Sequence, residues 1–209
     1  IIVRSWTKLG HPPDAIVVEG PKAGGHLGYS LEQLEDPNFV SFGLEKILSE
    51  VIKEAGKDIP VIAAGGIYTG KDIYNILEHG AAGVQMATRF VTTKECDADE
   101  KFKRAYLDSK KEDIVIIKSP VGMPGRAIKN KFLEAVETKR APFQCDYDCL
   151  KKCNPFSSPY CIADALINAQ KGKIEEGFAF AGTNAYLAEK IVSVKDVFKD
   201  LEKEFSDAS

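Results

Sequence analysis

Three apolar runs constrain this chain more than any other feature: "AIVVEG" at 15–20, "IPVIAAGGI" at 59–67 and "AGVQMATRFV" at 82–91. The first is apolar and β-branched without polar alternation, the pattern of a strand buried on both faces; the second reads as another buried strand and the third as a further strand. Between them lie two helical patterns. "PNFVSFGLEKILSEVIKEAG" turns Phe42, Leu44, Ile47, Leu48, Val51 and Ile52 to one side and stops at Gly56; "TGKDIYNILEHGA" turns Ile73, Ile76 and Leu77 inward and stops at Gly80. The order β-α-β-α-β implies a parallel sheet with helices on its faces. Three such strands are too few to close a barrel, so they read as the last units of one or as part of an open doubly wound sheet.

The second half reads differently. Lys101 to Ser109 is helical. "DIVIIKSPVGMPGRAIKN" (113–130) reads as a strand-like run, a Gly/Pro loop and a helix start, with Arg126 and Lys129 on a solvated helix face. "CIADALINAQKGK" (161–173) is a further helix, and the segment 178–205 is a glycine-containing loop with two closing helices. The expected division is 1–95 for the βα units, 96–180 for a mostly helical appendage and 181–209 for helices returning to the βα units. Ile1, Ile2, Trp6 and Leu9 sit at helical spacing at the very start, so the expectation is a C-terminal piece of a longer protein.

Composition narrows the function classes. A net charge of −3 with no basic stretch argues against a nucleic-acid surface, and runs such as "AIVV" and "IVII" are too short for a membrane helix. No leader-like start precedes the first turn, so a cytoplasmic location is expected. Four of the five cysteines, Cys145, Cys149, Cys153 and Cys161, form a C-x3-C-x3-C-x7-C pattern. On a helix the first three thiolates would share a face and could take zinc or an iron–sulfur cluster. The CxxC knuckle is absent, and free cysteines more often act as small buried hydrophobes, so no metal site is expected.

Ligands of parallel α/β folds bind at the C-terminal ends of the strands. Here those ends read "EGPKAGGH", "AAGGI" and "VQMATRF". Gly65 and Gly66 leave backbone N–H groups open to an anion, and Thr88 with Arg89 adds a polar turn, a pairing that suits a phosphate. The dinucleotide fingerprint G-x-G-x-x-G is absent. His11 and His79 read as structural. His26 follows two glycines at a strand end, where an imidazole can take a proton from a carbon acid or donate to an anion.

"AIVVEGPKAGGHLG", "PVIAAGGI" and "GVQMATRFV", in this order, resemble the flavin-binding half of the nitronate monooxygenase family, once called 2-nitropropane dioxygenases. "SPVGMPGRAIKNKF" and "FAFAGTNAYLAEKIVSVKDVF" resemble its C-terminal region. The superfamily includes flavin-dependent type II enoyl-acyl-carrier-protein reductases. The resemblance implies a TIM (β/α)8 barrel, of which these strands are the sixth, seventh and eighth, followed by a small helical appendage. It implies FMN held by Glu19, Gly24, Gly25, Gly65, Gly66, Gln85, Met86, Ala87 and Thr88, with His26 as the catalytic histidine. Ala87 stands where the family usually has Gly, and Glu19 where many members have Gln. The activity implied is oxidation of alkyl nitronates by dioxygen. The alternatives are NAD(P)H-dependent enoyl reduction and a non-catalytic flavin- or phosphate-binding module. A small-molecule substrate and dioxygen are the expected partners, with a homodimer as an open possibility and NAD(P)H as a candidate reductant.

Overall fold

A computed structural model describes residues 2–149 and 153–209. Among the described residues six strands are formed: β1 (Ile16–Glu19), β2 (Gly25–His26), β3 (Val61–Ala64), β4 (Gly83–Gln85), β5 (Ile114–Lys118) and β6 (Pro124–Ile128). The α-helices in chain order are α1 (Ile2–Lys8), α2 (Leu31–Glu35), α3 (Pro37–Ala55), α4 (Gly70–Glu78), α5 (Thr88–Val91), α6 (Glu100–Leu107), α7 (Lys131–Thr138), α8 (Ile162–Gln170) and α9 (Val194–Ser206). The chain divides into two compact units. The first comprises the stretch through Ala23, Leu31–Ala87 and Lys195–Ser209; the second comprises Gly24–Ser30 and Thr88–Val194.

In the first unit β1, β3 and β4 form a parallel sheet with β3 central, in the expected β-α-β-α-β order. Its core gathers Val18, Val61 and Ala63 with Leu44 and Leu48 of α3 and Ile76 of α4. β3 is buried as expected, but Val17 of β1 is 49% exposed, which corrects the doubly buried reading of that strand. The reason is alternation along the strand: Val18 faces the core with Leu44 and Leu48, and Val17 lies on the opposite face. Phe42 is a second correction, at 68% exposure. It lies two residues before Leu44, about 200° round the helix from the inward stripe.

Local signals set the helix ends. Asp36 accepts from the Asn38 amide at the start of α3, next to Pro37, and Gly56 closes the helix with φ 76°. Thr69 and Asp72 form a capping box on α4, while Glu204 of α9 accepts from the Gly70 amide at 2.7 Å. The third apolar run is a strand only over Gly83–Gln85; α5 starts at Thr88, where a longer strand was expected. α1 exposes Ile2 and Trp6, Leu9 just after it is exposed as well, and Ile1, part of that helical reading, lies outside the described residues.

The second unit adds an antiparallel sheet of order β2-β6-β5 to its helices. The expected helix start around Arg126 is instead the second arm of a hairpin, with Ile114 opposite Ile128 and Lys118 opposite Pro124. Arg126 is buried on β6, and burial lowers its guanidinium pKa to about 10. Only Lys129 is solvated as expected, 3.2 Å from Glu134. The "SPVGM" turn joins two β-branched or small-residue arms, so the chain reverses where a helix start was read. The closing segment contains a 3-10 turn at Ala185–Leu187 and the single helix α9, where two helices were expected.

Lys103 is buried, and its ammonium donates to the carbonyls of Thr93 at 2.8 Å and Cys96 at 2.5 Å. Lys103→Met removes the charge and leaves both carbonyls short of a donor, an expected loss of about 3 kcal/mol. A fall in the urea midpoint at unchanged m-value checks this; an unmoved midpoint refutes it.

Tyr160 is buried in an aromatic cluster with Phe132 and Phe178, and its hydroxyl has no hydrogen-bond partner among the described residues. Burial raises its pKa to about 12. Tyr160→Phe is therefore expected to be neutral or to stabilise by up to about 1 kcal/mol, since it removes an unsatisfied group and no bond. A clear loss in thermal unfolding would contradict this.

The described cysteines do not share a helix face; residues 150–152 lie outside the described residues. Cys145 and Cys149 are exposed in irregular backbone, Cys153 is half-buried beside Ser158, and Cys161 is buried at the start of α8. All are free, and among the described residues no group of three His, Cys, Asp or Glu side chains could hold a metal.

Candidate active site

The first unit presents its strand ends in register: Glu19 lies opposite Ala64, and Ala64 opposite Gln85. Glu19 and Gln85 are exposed, yet neighbours desolvate the Glu19 carboxyl enough to raise its pKa. Of the residues that follow Gln85, Met86 packs partly on the core and Ala87 is exposed. β3 ends in two left-handed glycines, Gly65 at φ 90° and Gly66 at φ 81°. Only glycine holds such a pair without strain.

Space makes the same demand. A Cβ on Gly65 would stand 2.9 Å from the Ala23 Cβ, and one on Gly66 2.5 Å from the Lys22 Cβ. The loop after β1 is thus folded onto the turn after β3, tied by the Gly20 amide to the Ala64 carbonyl at 2.9 Å. Sequence reasoning missed Lys22. Its stem crosses the glycine turn while its ammonium donates to the Ser41 carbonyl at 3.3 Å. The signal was present in "EGPKAGGH", a cation just before the glycines. The left-handed glycine pair is a backbone arrangement that suits a phosphate-bearing cofactor.

The remaining predicted residues lie in the second unit. A Cβ on Gly24 would stand 2.5 Å from the Ala181 carbonyl carbon, so this glycine is required by the chain's own packing. Thr88 serves the same segment, accepting from the Gly182 amide at 3.1 Å. Gly25 has φ 78° and open space where a side chain would start. His26 then pairs across β2 with Gly125 of β6.

The imidazole Nε2 of His26 lies 2.7 Å from the Ser119 hydroxyl, and its ring meets Phe180 edge-on at 4.9 Å. Ser119 is buried in the β5–β6 turn and also accepts from the Val121 amide at 3.4 Å. Neither Ser119 nor Phe180 was foreseen, because the hairpin that delivers Ser119 was read as a loop and helix. Burial lowers the His26 pKa from its ordinary 6.5, which favours the neutral ring. As pH falls below 6.5 the unfolded chain takes up this proton first, and the folded state loses stability. His79 is structural as expected, bound through Nδ1 to the Asn75 carbonyl at 2.7 Å.

The predicted residues thus fall into two sets. Glu19, Gly65, Gly66, Gln85, Met86 and Ala87 belong to the strand ends of the first unit; Gly24, Gly25, His26 and Thr88 belong to the second. The family model described as Nitronate monooxygenase matches residues 2–204. The chain belongs to this family.

Over 121 residues this family member is 39% identical to a probable nitronate monooxygenase of Staphylococcus aureus strain Newman, a match covering 58% of the chain and 33% of that relative. Among solved structures it is similar to FabK from Thermotoga maritima, with TM-score 0.73, 27% identity and coverage of 99% of this chain and 58% of that one. It is also similar to nitroalkane oxidase from Streptomyces ansochromogenes, with TM-score 0.66, 26% identity and coverage of 99% and 55%. The chain spans little more than half of those solved chains, and its match covers a third of the curated relative. The fold is that of a partial TIM barrel, a parallel sheet with flanking helices, carrying an appendage. Among the described residues no helix is long and apolar enough to cross a membrane.

Proposed function

We propose that the protein is an FMN-dependent oxidoreductase that oxidises alkyl nitronates with dioxygen, with His26 as its catalytic residue. The observation that carries this reading is the imidazole of His26, held 2.7 Å from the buried Ser119 hydroxyl and placed directly after the glycines that follow β1. In this reading Glu19, Gly24, Gly25, Gly65, Gly66, Gln85, Met86, Ala87 and Thr88 hold FMN, with Lys22 beside the phosphate end. FMN, when bound, supplies a two-electron acceptor that dioxygen can reoxidise.

The protein's own part is proton control and orientation. If His26 takes the acidic C–H proton of a nitroalkane, it does so through Nδ1. Nε2 then carries a hydrogen and donates it to the Ser119 Oγ, which fixes the tautomer and the ring plane. The protonated ring that results is a cation beside the nitro oxygens and stabilises the negative charge developing there.

A second reading is reduction of an enoyl thioester by NAD(P)H, favoured by the likeness to FabK. Two assays on the FMN-loaded protein separate the two. Oxygen uptake driven by ethyl nitronate, with no thioester-stimulated NAD(P)H oxidation, supports the first. The reverse result supports the second, and FMN binding without turnover in either assay leaves a binding module.

A further inference from the structure

The surroundings of His26 are built by residues well outside its loop. The Phe180 ring stands edge-on to the imidazole at 4.9 Å and 65°. It lies over Gly125, the residue opposite His26, where a Cβ would come within 2.8 Å of the ring. Phe178 meets Phe180 from another side at 5.0 Å. The backbone is fixed as well. Phe180 bridges Ala127 of β6, and its carbonyl accepts from the Tyr106 hydroxyl at 2.5 Å. Tyr106 is buried on α6, and burial holds its phenol well above the ordinary range, so it remains a donor.

We propose that Phe180, locked in place by the Tyr106 hydroxyl, is a positioning residue that shields one side of His26 from water and holds the imidazole on Ser119. Only the catalytic consequence rests on the function proposed above; the positioning itself does not. An aromatic edge excludes water without offering a competing hydrogen bond, so Ser119 stays the partner of Nε2. Two cations lie on the elements packed against this strand. Arg126 is opposite Gly25, and Lys118 is at the end of β5, opposite Pro124. The His26 pKa is lowered by desolvation.

Histidine NMR titration of the full chain tests the proposal without substrate or flavin, with the His26 signal assigned by its loss in His26→Ala. The wild-type midpoint is expected below 6.5, the ordinary value. Phe180→Ala should raise it toward that value by admitting water. Tyr106→Phe, which removes one hydroxyl and little packing, should move it the same way by less and disturb the Nε2 resonance. It carries the test if Phe180→Ala does not fold. Lys118→Met should leave the midpoint unmoved. An unmoved midpoint in both Phe180→Ala and Tyr106→Phe, or a rise in Arg126→Met alone, overturns the proposal. A protein that oxidises no nitronate still gives this titration, so the positioning role and the proposed reaction fail separately.

Discussion

His26→Ala is expected to lower turnover of a neutral nitroalkane at least 100-fold while leaving the fold intact. Proton transfer by a positioned side chain contributes roughly 10²–10⁴-fold, which corresponds to about 3–5 kcal/mol of barrier. His26 is suited to that role by burial, which favours the neutral ring, and by Ser119, which holds Nε2 at 2.7 Å. Choice of substrate separates the two ways the ring can act. A neutral nitroalkane must lose a proton, whereas a preformed nitronate has already lost it. If His26 is a base, His26→Ala loses far more with the nitroalkane than with the nitronate. If the ring only orients the nitro group, both fall together. Oxygen-electrode rates across pH, with flavin content and circular dichroism matched to wild type, decide between them. Rates within threefold of wild type on both substrates would remove His26 from the mechanism.

Gly177→Ala should be among the most damaging single substitutions, costing about 3 kcal/mol or more. Gly177 is buried with extended backbone at φ −169°, so conformation is not the obstacle. Space is. An added Cβ would stand 1.9 Å from the Ala165 carbonyl oxygen, 2.8 Å from its carbon and 3.0 Å from the Ala169 nitrogen. All three are backbone atoms of α8, which cannot rotate aside as a side chain can. Moving the Gly177 segment instead disturbs Asn130, whose amide donates to the Gly177 carbonyl at 2.7 Å while its oxygen caps α7 at Leu133. Urea unfolding followed by circular dichroism measures the loss. Gly28→Ala is the control, since nothing lies within 4 Å of its added Cβ, and a change below about 0.5 kcal/mol is expected there. Equal effects at the two positions would show that close approach at Gly177 is not the cause.

How much was legible varied by element. Strands and helices of the first unit followed from periodicity and punctuation, because "VIAA" followed by two glycines, or Thr69 with Asp72, encodes its own geometry within a few residues. Phe42 failed because an apolar residue in a helical window need not face inward; it sits about 200° round α3 from Leu44. The hairpin at 114–128 failed for a different reason. "GRAIKN" carries no local marker of a strand, and its pairing with β5 and β2 depends on partners distant in sequence. Arg126 was misplaced with it, since a charged residue reads as solvated until the sheet that buries it is known.

By itself the sequence determined the parallel β-α-β-α-β core, the glycine turns at strand ends and the candidacy of His26, all properties of short contiguous stretches. Tertiary structure alone decided the chemistry around that histidine. Ser119 is 93 residues away along the chain, and Phe180 reaches the ring from a segment read as loop. Tyr106 secures Phe180 from a helix 74 residues before it. Hydrogen bonds and desolvation act through space, so the protonation state of His26 could not be read until the fold had assembled its neighbours.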